Sequence, residues 1–194
     1  MIVSIDANIG AGKSTLLKEL RKMGQIVMEE GVGEWGRMLK RFYDNPQRWA
    51  FTLQVAIAVD MKRQYDHIRS TSEPLVFVER GPHSAMCFVR NSVARGHIDG
   101  AELHLYTKLQ NEISWRPDVL VVIDADADMC LARVKQRGRD GEAAIDKEYL
   151  LAIEGEYKRM VDDFKNKTST RIVHLDGRKA PEELARDLLE ELEQ

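Results

Sequence analysis

Residues 4–15 read SIDANIGAGKST, one residue short of the phosphate-binding pattern G-x-x-x-x-G-K-[ST], because Ala7 stands where the first glycine belongs. Such a loop needs backbone N–H groups turned towards one point, a helix N-terminus behind them and a cation. Gly10 and Gly12 permit the tight turn, and Asn8, Ile9, Ala11 and Thr15 complete the backbone that would hold a nucleotide cofactor. Lys13 is placed to reach the outer phosphates, and the Ser14 hydroxyl is a ligand for Mg²⁺. An alanine at position 7 fits if its φ is negative, as at a strand end; at positive φ the methyl costs about 1 kcal/mol or more. We expect the strand-end conformation. A guanine-reading switch would need N-K-x-D, and the nearest match, NKTS at 166–169, lacks the aspartate.

The elements that must position this loop are legible from hydropathy. Five short runs, MIVSI (1–5), QIVM (25–28), LVFV (75–78), VLVVID (119–124) and RIVHL (171–175), are apolar almost without interruption, the mark of strands buried on both faces of a parallel sheet. Helical periodicity fills the intervals, at about 13–23, 33–44, 47–69, 83–94, 99–115, 127–137, 147–165 and 180–193. Alternation of strand and helix predicts an α/β fold of three layers, with a five-stranded parallel sheet flanked by helices, in one domain covering 1–194. The stretch RGRDGEAA (137–144), where glycine and charge replace periodicity, is expected to be the most mobile.

Ligands of such sheets bind beyond the carboxyl ends of the strands. The exits to inspect are therefore Asp6–Ser14, Glu29 and Glu30, Glu79 and Arg80, Asp124, and Asp176. All five carry an acid close to the last apolar residue, which suits a phosphate-and-metal site. Glu30 is the candidate base for removing a hydroxyl proton, and Glu79, with Asp124 as rival, the candidate metal ligand beside Ser14. Arg133 and Arg137 are four apart and share a helical face, with Arg139 in the turn beyond. Together with Lys13 and Arg80 they are suited to neutralising a transferring phosphoryl group.

At EEGVGEW (29–35) and FYDNPQRWAFTLQ (42–54) the chain resembles the deoxynucleoside kinases, a family of P-loop kinases that includes thymidine, deoxycytidine and multisubstrate enzymes. The family's E-P-V-x-x-W is matched by Glu30 to Trp35, its Y-x-D-P-x-x-W by Tyr43 to Trp49, its F-Q by Leu53-Gln54 and its E/D-R-S by Glu79-Arg80-Gly81. Its arginine-rich lid is matched by Arg133, Arg137, Arg139 and Glu142, giving a short lid at about 133–144. The segment ERGPHSAMCF is also similar to the D-R-H-P segment of herpesviral thymidine kinases, and the short N-terminus resembles compact viral or bacterial members.

The resemblance implies transfer of the γ-phosphate of ATP to a deoxynucleoside 5′-hydroxyl, with Mg²⁺. It makes Glu30 the base, has Arg133 and Arg137 contact the donor phosphates, and places Arg80, Arg137 and Arg139 on the transferred group. It also implies that Tyr43 and Glu142 hold the 3′-hydroxyl and that the Gln54 amide pairs with the base. Trp35, Ile9, Leu53, Ile57, Met61 and Ala85 form the apolar walls. Alanine at 85, where deoxycytidine kinases of this pattern carry aspartate, implies thymidine as substrate with other pyrimidines tolerated. A homodimer built on helices like those at 33–44 and 99–115 is implied as well. The departures are Gly31 for proline, Gly81 for serine, Leu53 for the stacking phenylalanine and Gly141 for the first acid of the lid.

Composition narrows the partners. Net charge is −3, which leaves no global basic field for nucleic acid. No apolar run approaches the roughly 20 residues of a bilayer span, and with only Cys87 and Cys130 the chain reads as a cytoplasmic protein in a reducing compartment. Two rival readings are a thymidylate kinase and a non-catalytic nucleotide-binding module. A thymidylate kinase would bring a dianionic substrate against Glu29 and Glu30, both expected to face the site, and mere binding would have no use for Glu30, Arg80 and the lid arginines.

Overall fold

The computed structural model describes residues 1–70, 72–139 and 141–193. Five parallel strands, β1 (Ile2–Asp6), β2 (Ile26–Met28), β3 (Val76–Glu79), β4 (Val119–Asp124) and β5 (Arg171–Asp176), lie in the order β2-β3-β1-β4-β5. The helices are α1 (Lys13–Lys22), α2 (Val32–Asp44), α3 (Pro46–Ser70), α4 (Pro82–Ala94), α5 (Gly100–Ile113), α6 (Ala127–Arg137), α7 (Lys147–Lys167) and α8 (Pro181–Leu192). This is the P-loop kinase architecture expected from the alternation of elements. The strand order reverses around β1, so the loop after β1 opens into the crevice where parallel sheets bind ligands.

Period-two alternation explains the layering. On β4, Val119, Val121 and Ile123 face a core shared with Leu16, Leu17 and Leu20 of α1 and Leu184, Ala185 and Leu188 of α8. Leu120 and Val122 face the opposite way, onto Cys87 of α4 and Ile153, Tyr157, Met160 and Phe164 of α7. Burying each such aliphatic side chain contributes about 1.5–3 kcal/mol. A separate cluster joins α2, α3, α4 and α5 through Trp35, Phe42, Leu53, Val89 and Tyr106.

Local chemistry sets the helix ends. Asp126 and Asp146 accept the Met129 and Tyr149 N–H groups in the first turns of α6 and α7, and Asp99 with Glu102 forms a capping box on α5. Proline opens α4 and α8. The stretch 137–144 contains a short 3₁₀ turn at Glu142–Ala144; Asp140 of the expected lid lies outside the described residues, as does Gln194. Both cysteines are free and buried, and burial pushes the Cys130 thiol up to about 11. Among the described residues no helix is long and apolar enough to cross a membrane.

Candidate active site

Ala7 is buried, and Arg80 is the only non-glycine with positive φ among the described residues, so the alanine has the strand-end backbone that tolerates its methyl. Gly10 has φ 82°, and a Cβ there would meet the Cys130 carbonyl oxygen at 2.5 Å. Asn8 does not line the cavity. Its amide donates to the Leu150 carbonyl at 2.8 Å while its oxygen accepts the Ile9 N–H, so its side chain pins the loop to α7.

Lys13 Nζ donates to the carbonyls of Ala7 and Asn8, both at 2.9 Å, and burial lowers its pKa to about 7, with the Arg80 charge adding to the effect. Phosphate oxygens would restore the charged form, so nucleotide binding above pH 7 must take up a proton. We therefore expect triphosphate affinity to fall by up to about tenfold per pH unit above 7. Titration calorimetry at pH 8 in two buffers of different ionisation enthalpy should show an uptake approaching one proton; no buffer dependence would contradict it.

Beside the loop, strand ends bring two carboxylates and a guanidinium together. Ser14 Oγ donates to Glu79 Oε1 at 2.9 Å, and Arg80 Nη1 donates to Glu30 Oε2 at 2.5 Å. Arg80 Nε donates to the Tyr157 hydroxyl at 3.1 Å, and the guanidinium stands 5.1 Å over the Phe88 ring. Its φ of 60° costs about 1–2 kcal/mol in an L-residue and turns the side chain into the site. Burial, with Glu79 adjacent, holds the Glu30 carboxyl above the usual carboxylate range although Arg80 pulls the other way. A raised carboxyl next to a fixed cation is suited to accepting a proton from a hydroxyl.

Four acids expected near the site are elsewhere, Asp176 among them, paired with Arg178 at 2.7 Å outside the cavity lining. Glu29 does not face it: successive side chains of an extended segment alternate, and Glu29 meets Arg21 at 2.6 Å, so the second carboxylate at the site is Glu79. Asp124 is exposed and pairs with His174 Nδ1 at 2.9 Å, outside the cavity lining. Asp6 is fully buried, accepting from Ser4 Oγ and Ser84 Oγ and lying 3.0 Å from His83 Nε2. The His83 ring also occupies the space a Cβ at Gly81 would need, which accounts for glycine in place of serine.

A cavity of about 580 Å³ runs from the phosphate loop between α2, α3 and α4, and every other expected site residue lines it. Among the lining residues are Tyr43 and the buried Glu142, which accepts from Arg137 Nε at 3.1 Å and Nη2 at 2.6 Å, with Arg139 3.7 Å away. Arg133 reaches the phosphate loop, donating to the carbonyls of Ala11 at 3.2 Å and Gly177 at 2.9 Å. At the far end Leu53, Gln54, Ile57, Met61, Ala85, Ile9 and Trp35 form the walls. Gln54 Oε1 and the Trp35 indole N–H are buried with no hydrogen-bond partner among the described residues. An unmet buried polar atom costs about 1–3 kcal/mol, so these two are suited to a polar ligand.

Sequence reasoning missed Phe88 and Ser92, which follow Ala85 at helical spacing and share its cavity-facing side; that spacing was the available signal. It also missed Gly177, Lys179 and Pro181, for which only the exit from β5 offered a hint, and Tyr149 of α7, for which the sequence offered none.

Fold and geometry thus define a P-loop phosphate site with a partly open pocket beside it. A family model described as deoxynucleoside kinase matches residues 3–194, and the chain belongs to that family. It is 28% identical over 216 residues to deoxycytidine kinase 2 of Gallus gallus, covering 90% of this chain and 81% of that one. A Frog virus 3 protein provisionally named a deoxynucleoside kinase is 27% identical over 161 residues, 83% of each chain. The solved structure of deoxyadenosine kinase from M. mycoides with dCMP and dCDP superposes with a TM-score of 0.89 at 18% identity, covering 100% of this chain and 99% of that one. That last likeness supports the fold.

Proposed function

We propose that this deoxynucleoside kinase transfers the γ-phosphate of ATP to the 5′-hydroxyl of thymidine, with other pyrimidine deoxynucleosides tolerated. The observation that carries the reading is the Glu30–Arg80 pair, 2.5 Å apart, between the phosphate loop and a pocket that ends on the unpartnered Gln54 oxygen. Glu30 orients the 5′-hydroxyl and accepts its proton. Arg80 and Lys13 stabilise charge on the transferred group, joined by Arg137 and Arg139 from a lid at 133–144. Tyr43 and Glu142 hold the 3′-hydroxyl. Ser14 and Glu79, two oxygen donors already side by side, fit a hard divalent cation and would hold Mg²⁺, which supplies charge neutralisation on the phosphates when bound.

Thymidine is favoured because Ala85 and Met61 present neither charge nor hydrogen-bond donor to the base, while the Gln54 amide offers one donor and one acceptor for a pyrimidine edge. Phe88 adds an aromatic wall where Leu53 supplies none. The test is a panel of deoxynucleosides and their monophosphates assayed with Mg-ATP. Turnover of thymidine above the other nucleosides supports the reading, and turnover confined to monophosphates overturns it. Ala85→Asp should shift competition from thymidine towards deoxycytidine by roughly tenfold or more, because the new carboxylate accepts from the cytosine amino group and repels a carbonyl. An unchanged preference would remove Ala85 from the base pocket.

A further inference from the structure

Asp60, half-buried on α3, is not part of the cavity wall, yet its Oδ2 accepts two hydrogen bonds. One comes from the backbone N–H of Gly31 at 3.1 Å and one from Gln64 Nε2, a helical turn further on, also at 3.1 Å. Gln64 Nε2 in turn donates to the carbonyl of Glu29 at 3.0 Å. Those two backbone groups belong to the peptide units immediately before and after Glu30. One side-chain pair on α3 therefore grips the chain on both sides of the residue that faces Arg80.

The glycine at 31 fits this arrangement and no other demand. Its φ is −73°, open to any residue, so conformation does not call for glycine. Space does: a Cβ there would stand 2.7 Å from Asp60 Cγ and overlap the carboxylate. The same helix walls the pocket through Gln54, Ile57 and Met61, so α3 sets both where the base sits and where Glu30 is held.

We infer that Asp60 and Gln64 are positioning residues that clamp the Glu30 backbone, fixing its carboxylate against Arg80 and the acceptor hydroxyl. The inference rests on the reading of Glu30 as the base. Misplacing a reacting group by about 1 Å costs up to roughly 10²-fold, so Asp60→Ala and Gln64→Ala should each lower kcat by about ten- to a hundredfold while the nucleoside Kd stays close to wild type. Gly31→Pro should be damaging in the wild-type background. In Asp60→Ala it should restore turnover, because proline needs no acceptor, fits the observed φ and fills the vacated space. The Gly31 amide, followed by hydrogen exchange, should be protected in the wild type and lose that protection in Asp60→Ala.

Wild-type kcat in Asp60→Ala or Gln64→Ala, with Glu30→Gln inactive, overturns the clamp and leaves the base reading standing. A double variant Asp60→Ala/Gly31→Pro slower than Asp60→Ala also overturns it. Full turnover in Glu30→Gln overturns the base reading and the clamp's role with it. Should Asp60→Ala fail to fold, Gln64→Ala, which leaves the Asp60–Gly31 bond in place, decides by the same split between kcat and Kd.

Discussion

Glu30→Gln should lower turnover by roughly 10² to 10⁴, the usual worth of a positioned general base, while deoxynucleoside binding changes little. Gln has nearly the same shape and keeps one oxygen for the Arg80 Nη1 donor 2.5 Å away, so the cavity wall survives. What disappears is basicity. The wild-type carboxyl is raised by burial and by the neighbouring Glu79 charge, which brings it closer to neutrality than a solvated glutamate. Its activity should fall as pH drops through that raised pKa, and this acid limb should vanish from the residual rate of Glu30→Gln. Steady-state kinetics from pH 5 to 9 with nucleoside Kd by calorimetry separates the two effects. Turnover within a few-fold of wild type would remove Glu30 as the base.

Arg80→Met carries the second large expectation, because one side chain serves the fold and, in the proposed function, the chemistry. Both members of the Arg80–Glu30 pair are about nine-tenths buried, at 10% and 11% side-chain exposure. Removing one partner of a buried pair costs about 3–5 kcal/mol, since the other charge is left without compensation. The left-handed backbone at position 80 costs arginine and methionine alike, so it drops out of the difference. Glu30 then relieves its isolation by holding a proton in the folded state. Its folded pKa lies further above the unfolded value, the folded protein binds more protons, and stability declines as pH rises towards that pKa. Urea denaturation should thus show a larger loss at pH 8 than at pH 5. Glu30→Gln/Arg80→Met should recover part of that loss, because neither charge remains unpaired. Turnover should fall roughly 10³-fold or more, because a cation at the transferring phosphoryl group is gone. A loss of stability that is equal at both pH values, and additive in the double variant, would mean that the pair is not coupled in the folded protein.

How the two carboxylates and the arginine meet was only partly legible beforehand. The exits of β1, β2 and β3 were identified by the rule that ligands bind beyond parallel strand ends, and Glu30, Glu79 and Arg80 follow that rule. The rule also nominated Glu29, Asp6, Asp124 and Asp176, which the fold uses for other purposes, Asp176 pairing with Arg178. Glu29 is turned away by alternation along the chain and met by Arg21, Asp6 is enclosed by two serines and a histidine, and Asp124 lies beside His174 of the neighbouring strand. A sequence records that an acid follows a strand. It does not record which side of the sheet end receives it.

The departures from the family pattern make the same point. Ala7 could be judged in advance because φ at a strand end is a local property. Gly31 and Gly81 could not, because their reasons are Asp60 and His83, 29 and two residues away and reaching them through space. Sequence alone determined the order and type of the elements and the phosphate loop, since each depends on hydropathy, propensity and spacing over a few residues, whereas the pocket walls were legible only through the resemblance to the family. Tertiary structure alone decided which carboxylates line the cavity, that Arg80 is held by Glu30 and Tyr157, and that α3 grips the chain around Glu30. Those outcomes depend on side chains brought together from distant parts of the chain, where burial and pairing set the energies and no local pattern records them.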